Sequence, residues 1–242
     1  MYTKGIKINL LWISLFSISM GYLESAVVVY LRAVYYPEGF GFPVVNLNHT
    51  HLVTEVGREI ATIIMLAGIG IIAGRSVIQK FAVFLYSFAI WDIVYYVFLK
   101  ILLNWPESVM TWDLLFMVPT IWSGPVLSPV ISSLTMIFYA FYIMYAENYK
   151  IKIINKNELT ILIAGAFIVF VSYIWDYSGF VTRNIGIKYI LNINKVEELS
   201  LSYIPLKFPW IIYITGETLI ILSIILSYVR IFNKTQGTVK HQ

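Results

Sequence analysis

Residues Thr54–Leu66 read TEVGREIATIIML, in which three charges within five residues (Glu55, Arg58 and Glu59) run straight into one of the most apolar segments of the chain. The chain around them is 59% hydrophobic and only 12% charged over 242 residues, with a mean hydropathy of +0.78. Soluble domains carry roughly 25% charged residues, so these figures place the chain in a bilayer and make this stretch the start of a membrane helix. Aromatic residues make up 17%, including 18 Tyr and 7 Trp, which suits side chains with an apolar body in lipid and a polar tip at its surface. Cysteine is absent, which excludes disulfides, thiolate metal sites and a cysteine nucleophile.

A spanning helix needs about 20 mostly apolar residues, and six segments qualify: Ile8–Leu31, Leu52–Ala73, Phe81–Leu103, Leu127–Ala146, Leu159–Trp175 and Phe208–Phe232. The first follows Lys4 and Lys7 with no small-residue cleavage site after it, and reads as a retained helix. A seventh apolar piece, Asp113 to Pro125 (DLLFMVPTIWSGP), is too short to span. Pro119, Pro125 and Pro129 prevent one straight helix through it. It is expected to be a half-helix or re-entrant segment capped by Asp113, with a kinked extension of the fourth span as the alternative. The fold expected is therefore an all-α membrane bundle of six transmembrane helices plus one half-helix. It forms a single domain over residues 1–232, followed by a short polar tail at 233–242.

Two long connections, 32–51 and 176–207, fall on one side, and the short connections 74–80 and 147–158 fall on the other. Ten of the 17 Lys and Arg residues lie on the side of the N-terminus. By the positive-inside rule both termini are then cytoplasmic. Only two of the 13 acids, Glu147 and Glu158, share that side.

This topology gives the remaining acids a depth. Glu24 lies in the outward third of the first helix, and Glu55, Arg58 and Glu59 lie at the outer start of the second. Asp92 lies just past the middle of the third, and Glu217 in the outer half of the sixth. A charge near the centre of a spanning helix costs about 2.5–3.5 kcal/mol on insertion scales, so such groups face a bundle interior and find partners there. Glu24, Glu55, Arg58, Glu59, Asp92, Tyr96 and Glu217 are accordingly expected to form one outward-facing ligand-binding cluster. Local spacing agrees. Ser14, Ser17, Gly21 and Glu24 make a small and polar stripe that permits close helix packing. Glu55 and Glu59 share a face, Arg58 is placed to pair with Glu55, and Asp92, Tyr96 and Lys100 form a row.

Glu24, Glu55, Glu59 and Asp92 offer hard oxygen ligands, suited to a divalent metal such as Mg, Ca or Mn, or to Fe. The Glu-x-x-His of di-iron carboxylate helices is missing. His49 and His51, in NHTH, alternate in an expected extended loop on the outer side, where solvated loop residues are the simpler account. Ser123 in Trp122-Ser123-Gly124 has no intramembrane histidine to serve as its base. No His-Glu-x-x-His run, phosphate loop or dinucleotide fingerprint occurs. The basic residues anchor helix ends, so no nucleic acid is implied. Gly68, Gly70 and the glycines of residues 39–42 read as packing and turn positions. Asn48-His49-Thr50 fits a glycosylation sequon, a pattern frequent by chance.

The segments SMGYLESAVVVYLRAVYYPEGF (19–40), TEVGREIATIIML (54–66), FAIWDIVYYVFLKILLNWPESVMTWDLLF (88–116) and PTIWSGPVLSP (119–129) resemble those of a family of uncharacterised bacterial multi-pass membrane proteins. The resemblance covers roughly residues 15–130. It implies a bacterial inner-membrane setting and no activity, and no site residue is carried over from it.

Three functions fit these residues. The first is binding or transport of a cation, a proton or a small polar solute at the outward-facing cluster. The second is a structural or assembly subunit, as a homo-oligomer or in a membrane complex, with the cluster as polar glue between helices. The third is an outer-leaflet enzyme using a carboxylate-held metal or an acid/base glutamate. Five acids against one intramembrane Arg favour the first, because surplus negative charge needs a metal, protons or water. Beyond these, the lipid bilayer is the one partner implied.

Overall fold

The computed structural model of the chain describes residues 3–146, 153–186 and 193–239. Its elements are α1 (Thr3–Tyr35), α2 (His49–Ala73), α3 (Val77–Leu103), β1 (Trp112–Phe116), β2 (Trp122–Pro125), α4 (Leu127–Ala146), α5 (Lys156–Ile185), α6 (Ile193–Ser200) and α7 (Trp210–Val239). Of the helices, all but α6 are long and apolar enough to cross a membrane. This is the six-span bundle expected, and α4 has the bounds read from sequence. The helix α7 continues through much of the expected polar tail to Val239, while residues 240–242 lie outside the described part.

Short polar residues start α2, α3 and α5. Asn48 accepts the His51 N–H at 2.9 Å, Ser76 accepts the Gln79 N–H at 3.1 Å, and Asn155 and Glu158 form a reciprocal capping box. At the other end of α3, Lys100 Nζ donates to the carbonyls of Asn104 and Pro106 at 3.2 and 3.0 Å. It therefore closes a helix end and stands apart from Asp92 and Tyr96, with which it shares a sequence row.

The helices fall into two halves. α1 and α2 pack on α3, α5 packs on α7, and α4 touches both α3 and α7. Small residues make the close approaches possible. A Cβ on Gly21 would stand 2.9 Å from the Trp91 carbonyl, and the Ser25 hydroxyl donates to the Tyr95 carbonyl at 3.1 Å, so the expected stripe on α1 does face α3. Gly165 and Gly216 face one another across α5 and α7, each Cβ position lying 2.8 Å from the other's carbonyl. At the end opposite the hairpin, Arg230 clasps Glu158 at 2.7 and 2.8 Å and joins the same two helices.

Residues 113–125 differ from expectation. They form neither a half-helix nor an extension of α4. β1 and β2 pair antiparallel, with Asp113 opposite Gly124, Leu114 opposite Ser123 and Phe116 opposite Trp122. Pro119 falls in the turn and Pro125 closes β2, so the prolines that bar a helix suit a hairpin. The paired strands satisfy each other's backbone groups, which is what irregular chain at membrane depth requires. Gly124 is needed there, because a Cβ would meet the Phe208 ring at 3.0 Å and Tyr173 at 3.3 Å.

Candidate functional site

The hairpin sits between the two halves and is tied to both. On one side, Glu59 of α2 accepts the Met117 N–H at 2.9 Å, and the Tyr96 hydroxyl of α3 donates to Asp113 at 3.1 Å. On the other, Ser123 shares a 2.8 Å hydrogen bond with Tyr203, whose hydroxyl donates to Asp176 of α5 at 3.0 Å, and the Trp122 ring meets Phe170 and Tyr173. Below this plug lies a cavity of about 930 Å³. Glu24, Glu55, Arg58, Glu59, Asp92, Tyr96 and Glu217 all lie on its wall, so the structure brings the seven sequence candidates to one space.

They do not form one cluster within it. Arg58 is the centre of the first group: its Nη1 pairs with Glu24 and its Nη2 with Glu55 at 2.7 Å, and Thr62 donates to Glu24 at 3.1 Å. This bridges α1 and α2, which otherwise touch little. Glu59 is spent on the hairpin tip. Asp92 and Glu217 are held by consecutive serines of α4, Ser133 donating to Asp92 at 2.8 Å and Ser132 to Glu217 at 2.6 Å. Neighbouring residues of a helix point about 100° apart, so α4 presents one serine to α3 and the other to α7. Tyr213 also donates to Glu217 Oε1 at 3.2 Å, while Glu217 Oε2 is buried with no hydrogen-bond partner among the described residues.

Sequence reasoning missed Arg32 and assigned Asp113 to a helix cap. The first helix continues a turn past Leu31, which carries Arg32 onto the face of Glu24 and Val28 at successive i,i+4 steps. That spacing was the available signal. Arg32 is 7% exposed, stacked on Trp105 at 3.9 Å and Phe40 at 4.4 Å, with Nη2 at 3.7 Å from Asp113. Asp113 itself is buried in β1. Burial pushes its carboxyl up to about 6, while Arg32 and the Tyr96 hydroxyl pull it back down. Ser132 and Ser133 were also missed, although paired hydroxyls in an apolar span mark an inward face.

One further expectation is corrected. His49 and His51 begin α2 and do not lie in an extended loop. The exposed His51 ring contacts the Tyr35 hydroxyl through Nδ1, and neither histidine lines the cavity. Among the described residues no group of three or more His, Asp or Glu side chains is placed to hold a metal ion. Glu24 and Glu55 turn to Arg58, Glu59 to the Met117 amide and Asp92 to Ser133. Of the four carboxylates considered as metal ligands, two thus share Arg58 and the other two turn to different partners.

Compared with protein families, curated proteins and solved structures, the chain matches none.

Proposed function

We propose that this multi-pass membrane protein binds a cation, a proton or a small cationic solute at an outward-facing intramembrane site and moves it between the site and the outer solution. The support is the imbalance of charge along the cavity wall. Arg32 and Arg58 are its cations, and both are taken, by Asp113 and by Glu24 with Glu55. Glu59, Asp92 and Glu217 line the same space with no ion-pair partner among the described residues. A buried carboxylate without a counter-ion is costly, and a proton or a bound cation offsets that cost.

The test is thermal unfolding of the purified protein in neutral detergent with sodium, potassium, calcium, magnesium or ethylammonium, from pH 5 to 8. One cation, or protons, is expected to raise the midpoint of the wild type and to lose that effect in Asp92→Asn and Glu217→Gln. Stabilisation by both substitutions, with no cation response in the wild type, would instead support an assembly subunit. The Arg58 bridge between α1 and α2 is the observation that favours this second account. The setting belongs to the proposal too: an inner membrane with both termini cytoplasmic, which reporter fusions at the C-terminus check.

A further inference from the structure

We infer that the occupant of the cavity is a single-chain amphiphile bearing a protonated amine, its head at Asp92 and Glu217 and its alkyl chain in the apolar arm below them. This rests on the cation-binding function proposed above and names the class of cation.

The cavity does not end at the carboxylates. From Phe88, which stacks on Phe116 of the hairpin, it continues along Leu85 and Phe81 of α3, Met136 of α4, and Leu162 and Ala166 of α5. From Asp92 to Phe81 the arm follows 11 residues of α3, on the order of 16 Å at 1.5 Å per residue. The lining residues at this depth come from α3, α4, α5 and α7, and α2 contributes nothing beyond Thr62. α2 and α5 do not pack on each other, so the arm faces the bilayer through the gap between them. The arm's wall is mostly apolar, with Thr135 and Tyr139 of α4 adding two hydroxyls, and a hydrocarbon chain is the filling that a bilayer offers it.

The head end has different chemistry. Among the described residues Asp92 and Glu217 have no ion-pair partner, and Glu217, 6% exposed, has no hydrogen-bond partner for Oε2. The rings of Trp91, Tyr95, Trp122 and Tyr173 line the same region. Carboxylates backed by aromatic faces suit an ammonium group, which both attract. A phosphodiester would stand beside two carboxylates with both cavity arginines already engaged, so phospholipid headgroups do not fit.

The test uses native mass spectrometry of the full chain released from phosphatidylcholine nanodiscs containing equal small amounts of n-dodecylamine, n-dodecanol and phosphatidylethanolamine. Thermal shift with ethylammonium, measured on the same variants, reports the head site alone. The wild type is expected to retain one dodecylamine in preference to dodecanol, and Asp92→Asn and Glu217→Gln should each lower that occupancy by about tenfold or more. Ala166 is exposed in the arm, so Ala166→Trp and the milder Ala166→Leu should block the chain while leaving the ethylammonium shift intact. If ethylammonium stabilises the wild type but dodecylamine is not retained, or Ala166→Trp retains it fully, the cation site stands and the amphiphile is wrong. Equal retention of dodecanol, or preferred retention of phosphatidylethanolamine, overturns the headgroup assignment. If neither amine acts while sodium, potassium, calcium, magnesium or protons still stabilise the wild type, the cation site stands and the amphiphile is wrong; if none of them acts, both proposals fall.

Discussion

Glu59 of α2 accepts the backbone N–H of Met117, 58 residues further along the chain, and so holds the tip of the hairpin against the first half of the bundle. The contact places a carboxylate on an amide that no strand partner serves. Glu59→Ala is expected to free the tip, and Glu59→Gln, whose carbonyl still accepts, to hold it in part. Hydrogen exchange of residues 116–121 reads the difference: faster exchange in the alanine variant alone supports the tie, and equal protection in all three chains refutes it.

Arg58 lies between Glu24 and Glu55 with its side chain 20% exposed. Removing it strands two carboxylates, and Arg58→Ala should cost about 3–5 kcal/mol. Adding Glu24→Gln and Glu55→Gln removes the stranded charges and should recover most of that loss. Reversible unfolding in mixed micelles measures both. A triple variant no more stable than Arg58→Ala would show that the guanidinium acts through packing and not through charge.

Asp113 gives the fold a pH dependence whose sign is fixed. Its folded value of about 6 lies above the ordinary 3.8, so the folded chain holds the proton more tightly than the unfolded chain. The stability this supplies is fully present below about pH 4 and is lost as pH rises through 6. Between those limits the wild type should lose stability relative to Asp113→Asn. Parallel unfolding midpoints for the two chains across that window would contradict it.

Gly216 leaves no room for a side chain, a Cβ there lying 2.7 Å from Val169 Cγ2 and 2.8 Å from the Gly165 carbonyl. Gly216→Ala must push α5 from α7 and should cost about 1–3 kcal/mol. Gly57 is exposed on α2 with nothing near its Cβ position, and Gly57→Ala is the control, expected to be neutral or slightly stabilising. If both glycines tolerate alanine equally, the α5–α7 contact is looser than its geometry.

The six spans were legible because length and hydropathy alone decide them. Their ends were less so: α5 runs on to Ile185, past the expected stop at Trp175, because Tyr177 and Val181 pack on Tyr203 from a distant loop. The hairpin was illegible for a related reason. A mostly apolar segment of thirteen residues suits a half-helix or two short strands equally, and Ser123, Trp122 and Asp113 choose strands through partners on α3, α5 and the 201–209 segment. Site depth followed from topology, so the seven candidates do share a cavity. Their pairing did not follow, since which carboxylate meets Arg58 and which meets a serine depends on helix rotation, and sequence spacing does not set rotation between helices.

The helix α4 packs on both halves of the bundle, on α3 and on α7, with the hairpin tied to each. A body joined in this way has a mechanical axis. A turn of one half against the other about α4, as covers turn about a spine, would widen or narrow the cavity, and the hairpin tied to both would be the strap that limits the swing. The chain has no native cysteine, so spin labels attached at Ile60→Cys on α2 and Ile163→Cys on α5 report that swing directly. Cutting the strap with Glu59→Ala and Ser123→Ala should broaden the distance distribution between them. An unchanged width would mean that the two halves are locked by α4 itself.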